Sequence, residues 1–273
     1  MRTRHDAVPV QPGAVPRRRT ATAGPRVWGR ALIELALPVS CPGCGEPGVS
    51  LCPACAARLA GPCRVVTPPS WGHPLPVWAG PDYEGPASRV IVAWKDRGRL
   101  DLTPALARTL AGSLAQALPA PSGRAGGART GPVLLVPAAS TAAAVRRRGE
   151  DVVALLVRAA AEHLRGRGRP AAPVRVLPVL RLRRGVADQA GLGAAARRHN
   201  VTGRVRLARG SAALLRGQPV LLVDDVVTTG ATLCAAGRAL TAAGATVLGA
   251  CTVCATPPVH RQGVGVSTGR RVD

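Results

Sequence analysis

Val220 to Thr232, VLLVDDVVTTGAT, sets two adjacent carboxylates, Asp224 and Asp225, between an apolar run and a small turn rich in hydroxyls. Those residue types suit a phosphorylated sugar. Backbone N–H groups at a helix start bind phosphate, and Thr228, Thr229 and Thr232 add hydroxyl donors. Gly230 lets the backbone come close to the ligand, and the helix that begins at Ala231 brings partial positive charge to the same place. The carboxylates repel a phosphate, so their partners are the ribose hydroxyls. An ordinary strand–turn–helix is the plain alternative, but two acids at the end of a buried strand are costly without a ligand, metal or donors. A nucleotide hydrolase strand also ends in Asp-Asp, yet it needs a G-x-x-x-x-G-K-[ST] loop elsewhere. The single lysine, Lys95, has no such glycine frame before it.

A second cluster has the spacing of metal ligands. Cys41, Cys44, Cys52 and Cys55 form C-x2-C-x7-C-x2-C, and both pairs sit in turn contexts, Cys-Pro-Gly-Cys-Gly and Cys-Pro-Ala-Cys. Two such knuckles hold one tetrahedral Zn²⁺, and four thiolates leave no open position, so the ion is structural. Two disulfides or redox C-x-x-C pairs are the alternatives, and the missing secretory signal weighs against them. Cys63 is left over, either a partner of His73 in a degenerate second site or a spare thiol. Cys234, Cys251 and Cys254 read as small core residues.

These groups need elements to position them. Val220–Val223 is apolar and β-branched enough for a strand buried on both faces, with the aspartates at its carboxyl end, where open α/β sheets bind ligands. Thr103 to Leu118 reads as a helix and Pro119 to Pro132 as a linker. Val133–Val136 reads as a buried strand ending at Pro137, Thr141 to Leu164 as mostly helix, Val174 to Leu180 as a strand, and the stretch from Thr246 as another. The alternation predicts an α/β fold: a mainly parallel sheet flanked by helices, preceded by a small four-cysteine zinc module.

VLLVDDVVTTGAT resembles the phosphoribosyl-pyrophosphate (PRPP) signature of type I phosphoribosyltransferases, and further segments resemble the ComF family. Val136-Pro137 followed by Arg146-Arg147-Arg148-Gly149 matches that family's strand-VP and Arg-Gly pattern, although Glu150 and Asp151 replace its aromatic and Asn. Gln189 with Leu192, then Arg197 and Asn200-Val201, match its Q-x-x-L and R-x-x-N-V. Composition and pattern divide the chain into 1–30, a disordered basic tail; 31–76, the zinc-binding module; 77–256, the phosphoribosyltransferase-like domain; and 257–273, a second disordered tail, and the resemblance covers the two middle parts. It implies PRPP binding with Mg²⁺ through Asp224, Asp225, Val226, Thr228, Thr229, Gly230, Ala231 and Thr232. Asp224 and Asp225 would also stabilise the oxocarbenium-like ribose as pyrophosphate leaves. Lys95 and Arg148 are candidate pyrophosphate contacts, or else a surface lysine and a solvated helix start. Trp94 either stacks on a base or belongs to the core. Gln189, Arg197 and Asn200 lie where the fold carries a mobile loop, and either meet the acceptor and lock the lid or only tie it down.

A net charge of +23 and a pI of about 11.7 imply affinity for polyanions. ComF relatives are associated with DNA uptake, which makes single-stranded DNA and a competence helicase-type protein candidate partners, and a homo-oligomer a candidate assembly. A non-catalytic DNA-binding accessory is therefore the alternative to a transferase. Scarce aromatic residues count against it, because bases need stacking platforms. With no apolar run long enough to span a bilayer and no visible signal peptide, the sequence predicts a cytoplasmic protein.

Overall fold

The computed structural model describes residues 39–70, 75–118, 131–166, 173–182 and 205–257. The chain divides into Met1–Val39 and Ser40–Asp273, and the described elements belong to the second unit. The basic tail expected over 1–30, most of the linker from Pro119 and of the tail from Pro257, His73, and the expected lid residues Gln189, Arg197 and Asn200 lie outside the described residues.

A six-stranded sheet carries the fold, in the order β1 (Arg64–Val66), β2 (Val77–Ala79), β8 (Thr246–Ala255), β7 (Pro219–Val227), β3 (Val133–Pro137), β4 (Val174–Val176). Only the β1–β2 pair is antiparallel. The expected α/β fold with a mainly parallel sheet and flanking helices is thus the fold observed. β1 precedes residue 77, yet it is the edge strand of this sheet.

Helices cover both faces, and the period-two alternation of β7 decides which residue meets which layer. Leu221 and Val223 pack with α2 (Gly85–Asp96), α3 (Thr103–Ala117) and α5 (Val152–Gly166). Val220 and Leu222 pack on the other face, with α7 (Ala231–Ala242) and Leu215 of the short α6 (Ala212–Leu215). Four consecutive β7 residues, Val220 to Val223, are fully buried, as a central parallel strand requires. Cys234, Cys251 and Cys254 are buried core residues.

Three elements differ from the sequence expectation. β7 runs past the aspartates to Val227, because β8 pairs with it as far as Ala255 and keeps the backbone extended. The helix expected over Thr141 to Leu164 is two, α4 (Ala142–Arg148) and α5, broken where Gly149 takes φ +78°. Thr141 caps α4 through a bond from Ala144 N to its Oγ1, and Asp151 Oδ1 accepts from Ala154 N at the start of α5. The strand expected from Val174 to Leu180 is also two. β4 joins the main sheet, while β5 (Leu180–Leu182) leaves it after Pro178, which lacks an N–H, and pairs antiparallel with β6 (Val205–Leu207).

No helix among the described residues is long and apolar enough to cross a membrane.

Candidate functional site

Asp225 keeps in step with Leu221 and Val223 and meets α2, while beyond it the alternation lapses, with Val226 on the α2-side cluster and Val227 on the other. The α2 helix therefore decides what Asp225 meets. Its Lys95 sets Nζ 2.8 Å from Asp225 Oδ1 and 2.6 Å from Oδ2, across 130 residues of sequence. The Asp225 side chain is only 4% exposed, and among the described residues Lys95 is the one cation paired with it. The neighbouring Asp224 accepts a hydrogen bond on Oδ1 from the backbone N–H of Asp225, at 2.9 Å.

The two acids titrate apart. Burial pushes Asp224 well above the ordinary carboxylate value, and the charge of Asp225 adds to it. Burial acts the same way on Asp225, but Lys95 prevails and holds it below that value. In Lys95, burial favours the neutral amine and the two carboxylates outweigh it, so the ammonium is kept. The pair thus carries one firm negative charge beside one carboxyl poised to take a proton.

After β7 the chain turns through Thr228 and Thr229 to Gly230, which has φ +79° at the amino end of α7. That left-handed geometry favours glycine. Gly230 itself offers no side-chain cap; Thr229 Oγ1 accepts from Ala231 N at 3.4 Å, which leaves the N–H groups of Thr232 and Leu233 to meet an anion. A cavity of about 50 Å³ lies over the turn, lined by Asp224 and Val226 to Leu233. A larger one of about 300 Å³ is lined by Tyr83, Ile91, Val92, Lys95, Asp96, Asp224, Asp225, Val226, Thr228 and Thr232. The two share Asp224, Val226, Thr228 and Thr232, and so form one crevice with a carboxylate end and a hydroxyl-rich end.

Arg148, at the end of α4, donates from Nη2 to Asp96 Oδ1 at 3.0 Å, and its buried Nε has no partner. The expected crevice residues on β7, the turn, α2 and α4 are thus brought to one end of the sheet. Trp94 is fully buried and donates from Nε1 to Thr103 Oγ1 at 3.1 Å. It belongs to the core and offers no face to a base. Tyr83 and Asp96 were not singled out by the sequence. Burial holds the Tyr83 phenol above its ordinary value, and Asp225 adds to the effect, so it remains a donor over the crevice. The one available signal was that Tyr83 is the only tyrosine.

At the amino-terminal side, the Sγ atoms of Cys41, Cys44, Cys52 and Cys55 lie within 4.8 Å of one another. Cys44 and Cys52 are 3.6 Å apart, close to the ~3.8 Å edge of a tetrahedron with metal–sulfur bonds of about 2.3 Å. Backbone N–H groups of Cys52 and Cys55 donate to Cys41 and Cys52 sulfurs, each at 3.4 Å. A Cβ at Gly43 would sit 2.5 Å from Cys55 Sγ, so glycine is needed for the sulfurs to close up. Burial works to raise the Cys41 thiol, but backbone N–H groups from Cys52, Gly43 and Cys44 prevail and bring it down to about 6. The donor set and its spacing fit a metal ion such as Zn²⁺.

The knuckle is fastened to the helix that carries Lys95. Arg89 of α2 donates through Nε (2.8 Å) and Nη2 to Gly43 O. Arg99, just past α2, donates to Ser40 O and Ser50 O, each at 3.2 Å, and pairs with Asp101.

Residues 189–262 match the phosphoribosyl transferase domain model. That span holds β6 to β8, so the match falls on the segment that supplies both aspartates and the turn. Among solved structures, the chain is similar to one from a study of an invariant aspartic acid in HPRTs, a glutamic acid mutant. Identity is 15% over 57% of this chain and 78% of that one, with a TM-score of 0.32. It is also similar to Trypanosoma cruzi hypoxanthine phosphoribosyl transferase, at 15% identity over 58% and 75% of the two chains, with a TM-score of 0.33. No curated protein matches the chain.

Proposed function

We propose that this chain is a ComF-like protein whose phosphoribosyltransferase domain binds PRPP at the β7–α7 crevice and transfers the phosphoribosyl group to an acceptor. The observation that carries the reading is the paired Asp224 and Asp225 in line with the helix start at Gly230, within a segment that matches the phosphoribosyl transferase domain. The four-cysteine knuckle ahead of that domain is the feature in common with ComF proteins.

In this reading the 5′-phosphate lies on the Thr228–Thr232 turn, held by free N–H groups and hydroxyls. The ribose diol lies on the aspartates. Asp225, kept ionised by Lys95, faces the positive charge that develops at the anomeric carbon as the bond to pyrophosphate lengthens. Asp224 accepts or gives a proton at the sugar hydroxyls. Arg148 and Lys95 face the departing pyrophosphate. Mg²⁺ enters with PRPP, held mainly by ligand oxygens, and supplies charge neutralisation on the leaving group. Gln189, Arg197 and Asn200 would cover the acceptor. Zn²⁺ in the knuckle is structural, and the protein acts in the cytoplasm.

Calorimetric titration of PRPP with Mg²⁺ tests the reading, on wild type and on Asp224→Asn/Asp225→Asn at moderate salt. Saturable binding lost in the double variant is the expected result; equal binding by both proteins would sink it. The high positive charge supports the second reading, a non-catalytic accessory that holds single-stranded DNA and meets a competence helicase-type partner. It becomes the better one if PRPP does not bind while an oligonucleotide does.

A further inference from the structure

A cleft of about 920 Å³ lies apart from the acid pair, bounded by α4, α5 and the β5–β6 hairpin. Its lining shares no residue with the crevice over Asp224. Helix α4 presents different residues to the two. Arg148 reaches Asp96 beside the acid pair, whereas Ala142, Val145 and Arg146 line the cleft.

Four arginines from four elements line the cleft among the described residues: Arg146 of α4, Arg158 of α5, Arg206 of β6, and Arg181 of β5, whose Nη1 also donates to Pro178 O and Leu180 O, each at 2.9 Å. One carboxylate, Asp151, is also in the lining, and it is already engaged. Its Oδ1 accepts from Ser140 Oγ at 2.9 Å and from Ala154 N at 3.3 Å. Among the described residues the ion pairs are Arg64–Asp82, Lys95–Asp225, Arg99–Asp101 and Arg148–Asp96. None of the four cleft arginines has an acidic partner among them.

The hairpin adds an independent observation. Arg181 and Arg206 stand directly opposite each other in the β5–β6 ladder. Like charges directly opposite across a strand pair destabilise it, and this two-stranded sheet has three residue pairs with which to bear the cost. Because so short a ribbon is marginal alone, it leans on the core through Leu180, Val205 and Leu207. An anion shared between the guanidinium groups converts that repulsion into charge-assisted hydrogen bonding.

Size and lining narrow the ligand. The volume falls within the roughly 300–1,000 Å³ of small-molecule sites. Among the described residues no aromatic side chain lines the cleft, so they supply no stacking platform for bases. What it offers is positive charge at several separated points. We propose that this cleft is a second anion site, distinct from the sugar-phosphate crevice, that takes a ligand carrying a chain of two or more phosphoryl groups. Free oligophosphate and the polyphosphate tail of a nucleotide share that chemistry.

The test is calorimetric titration of tripolyphosphate, ATP and orthophosphate into the full-length protein at about 0.15 M salt, where weak general anion binding is screened. The variants are Arg158→Gln/Arg206→Gln, both at exposed positions, and Asp224→Asn/Asp225→Asn, with circular dichroism to verify folding. Expected is a saturable tripolyphosphate event that the aspartate variant keeps and the arginine variant weakens by about tenfold per arginine removed. Equal affinity for ATP assigns recognition to the phosphoryl chain alone, and tighter ATP binding that depends on the same arginines assigns the site to a nucleotide. The proposal is overturned by absent binding, by binding that the arginine variant retains in full, or by orthophosphate binding as tightly as tripolyphosphate. It is also overturned by a single-stranded oligonucleotide that outcompetes tripolyphosphate through the same arginines. Because the aspartate variant reports on the other crevice, the two proposals fail separately.

Discussion

The cysteine knuckle and the acid pair are both fastened to one helix, α2, and they are built in opposite ways. All four thiols come from Cys41 to Cys55, and the backbone that joins them also orients them, with N–H groups of Cys52 and Cys55 donating to the sulfurs. The acid pair is adjacent in sequence, but its behaviour is set from 130 residues away by Lys95. Local spacing is enough to assemble a soft-metal ligand set. It does not suffice to assign charge to two neighbouring carboxylates, because that depends on which helix packs above the strand. Helix α2 connects the two regions, with Arg89 on Gly43 O toward one and Lys95 on Asp225 at the other.

The largest expected effect breaks the knuckle. Cys52→Ser, or chelation of the metal, is expected to abolish stoichiometric zinc and to remove hydrogen-exchange protection over residues 41–59, since small metal modules fold with their ion. Protection of β7 and β8 is expected to persist, because the knuckle segment adds only Leu59 and the flanking Leu51 to a core built mainly from α2, α3, α5 and α7. Coincident loss of both would mean that the two regions form one cooperative unit.

Next comes the far end of α2. Lys95→Met leaves Asp225 buried without its cation, at a cost of about 3 kcal/mol in urea unfolding at neutral pH. The sign with pH follows from the lowered value of Asp225. A depressed carboxylate stabilises above its unfolded value, and that contribution is lost as pH falls through the folded value. The raised value of Lys95 adds stability that is complete below the ordinary lysine value and is lost as pH rises through the folded one. The gap between wild type and Lys95→Met should therefore be widest at neutral pH and close toward strong acid. A gap that stays constant down to pH 2 would show that the lysine acts through packing instead.

Gly43→Ala is a smaller change, at about 1–3 kcal/mol of overpacking against Cys55 Sγ. Weaker retention of zinc against a chelator, with an unchanged sheet, is the expected reading. Smallest in stability, and opposite in sign, is Asp224→Asn. The native state holds Asp224 above its ordinary value, so above the unfolded value this carboxyl opposes folding. Removing it should raise the urea midpoint by less than Lys95→Met lowers it, while PRPP binding is lost. A lower midpoint would mean that the Asp225 N–H bond to Asp224 Oδ1 outweighs burial of the charge.

How far the sequence was legible varies by element. The four cysteines, the buried run of β7 and the turn to α7 were readable, because each rests on period, spacing or turn chemistry confined to a few residues. Chain breaks at Gly149 and Pro178 were under-read: a lone glycine in a helical pattern does not reveal that it will take φ +78°. Strands β1 and β2 are three residues each, too short for alternation to register. The partners of the acid pair were named only singly. Lys95 was read as a pyrophosphate contact or a surface group, and Tyr83 not at all, because nothing within α2 says which strand it will cross.

By itself, then, the sequence determined the α/β layering, the metal-ligand set and the residues of the phosphate turn, all of which follow from short-range pattern and side-chain chemistry. Tertiary structure alone decided that Asp225 faces a cation while Asp224 does not, that Trp94 is core, and that Arg181 stands opposite Arg206. Side-chain charge is written in the chain. The dielectric and the neighbours that set its pKa, and the register that places like charges together, exist only once distant segments pack.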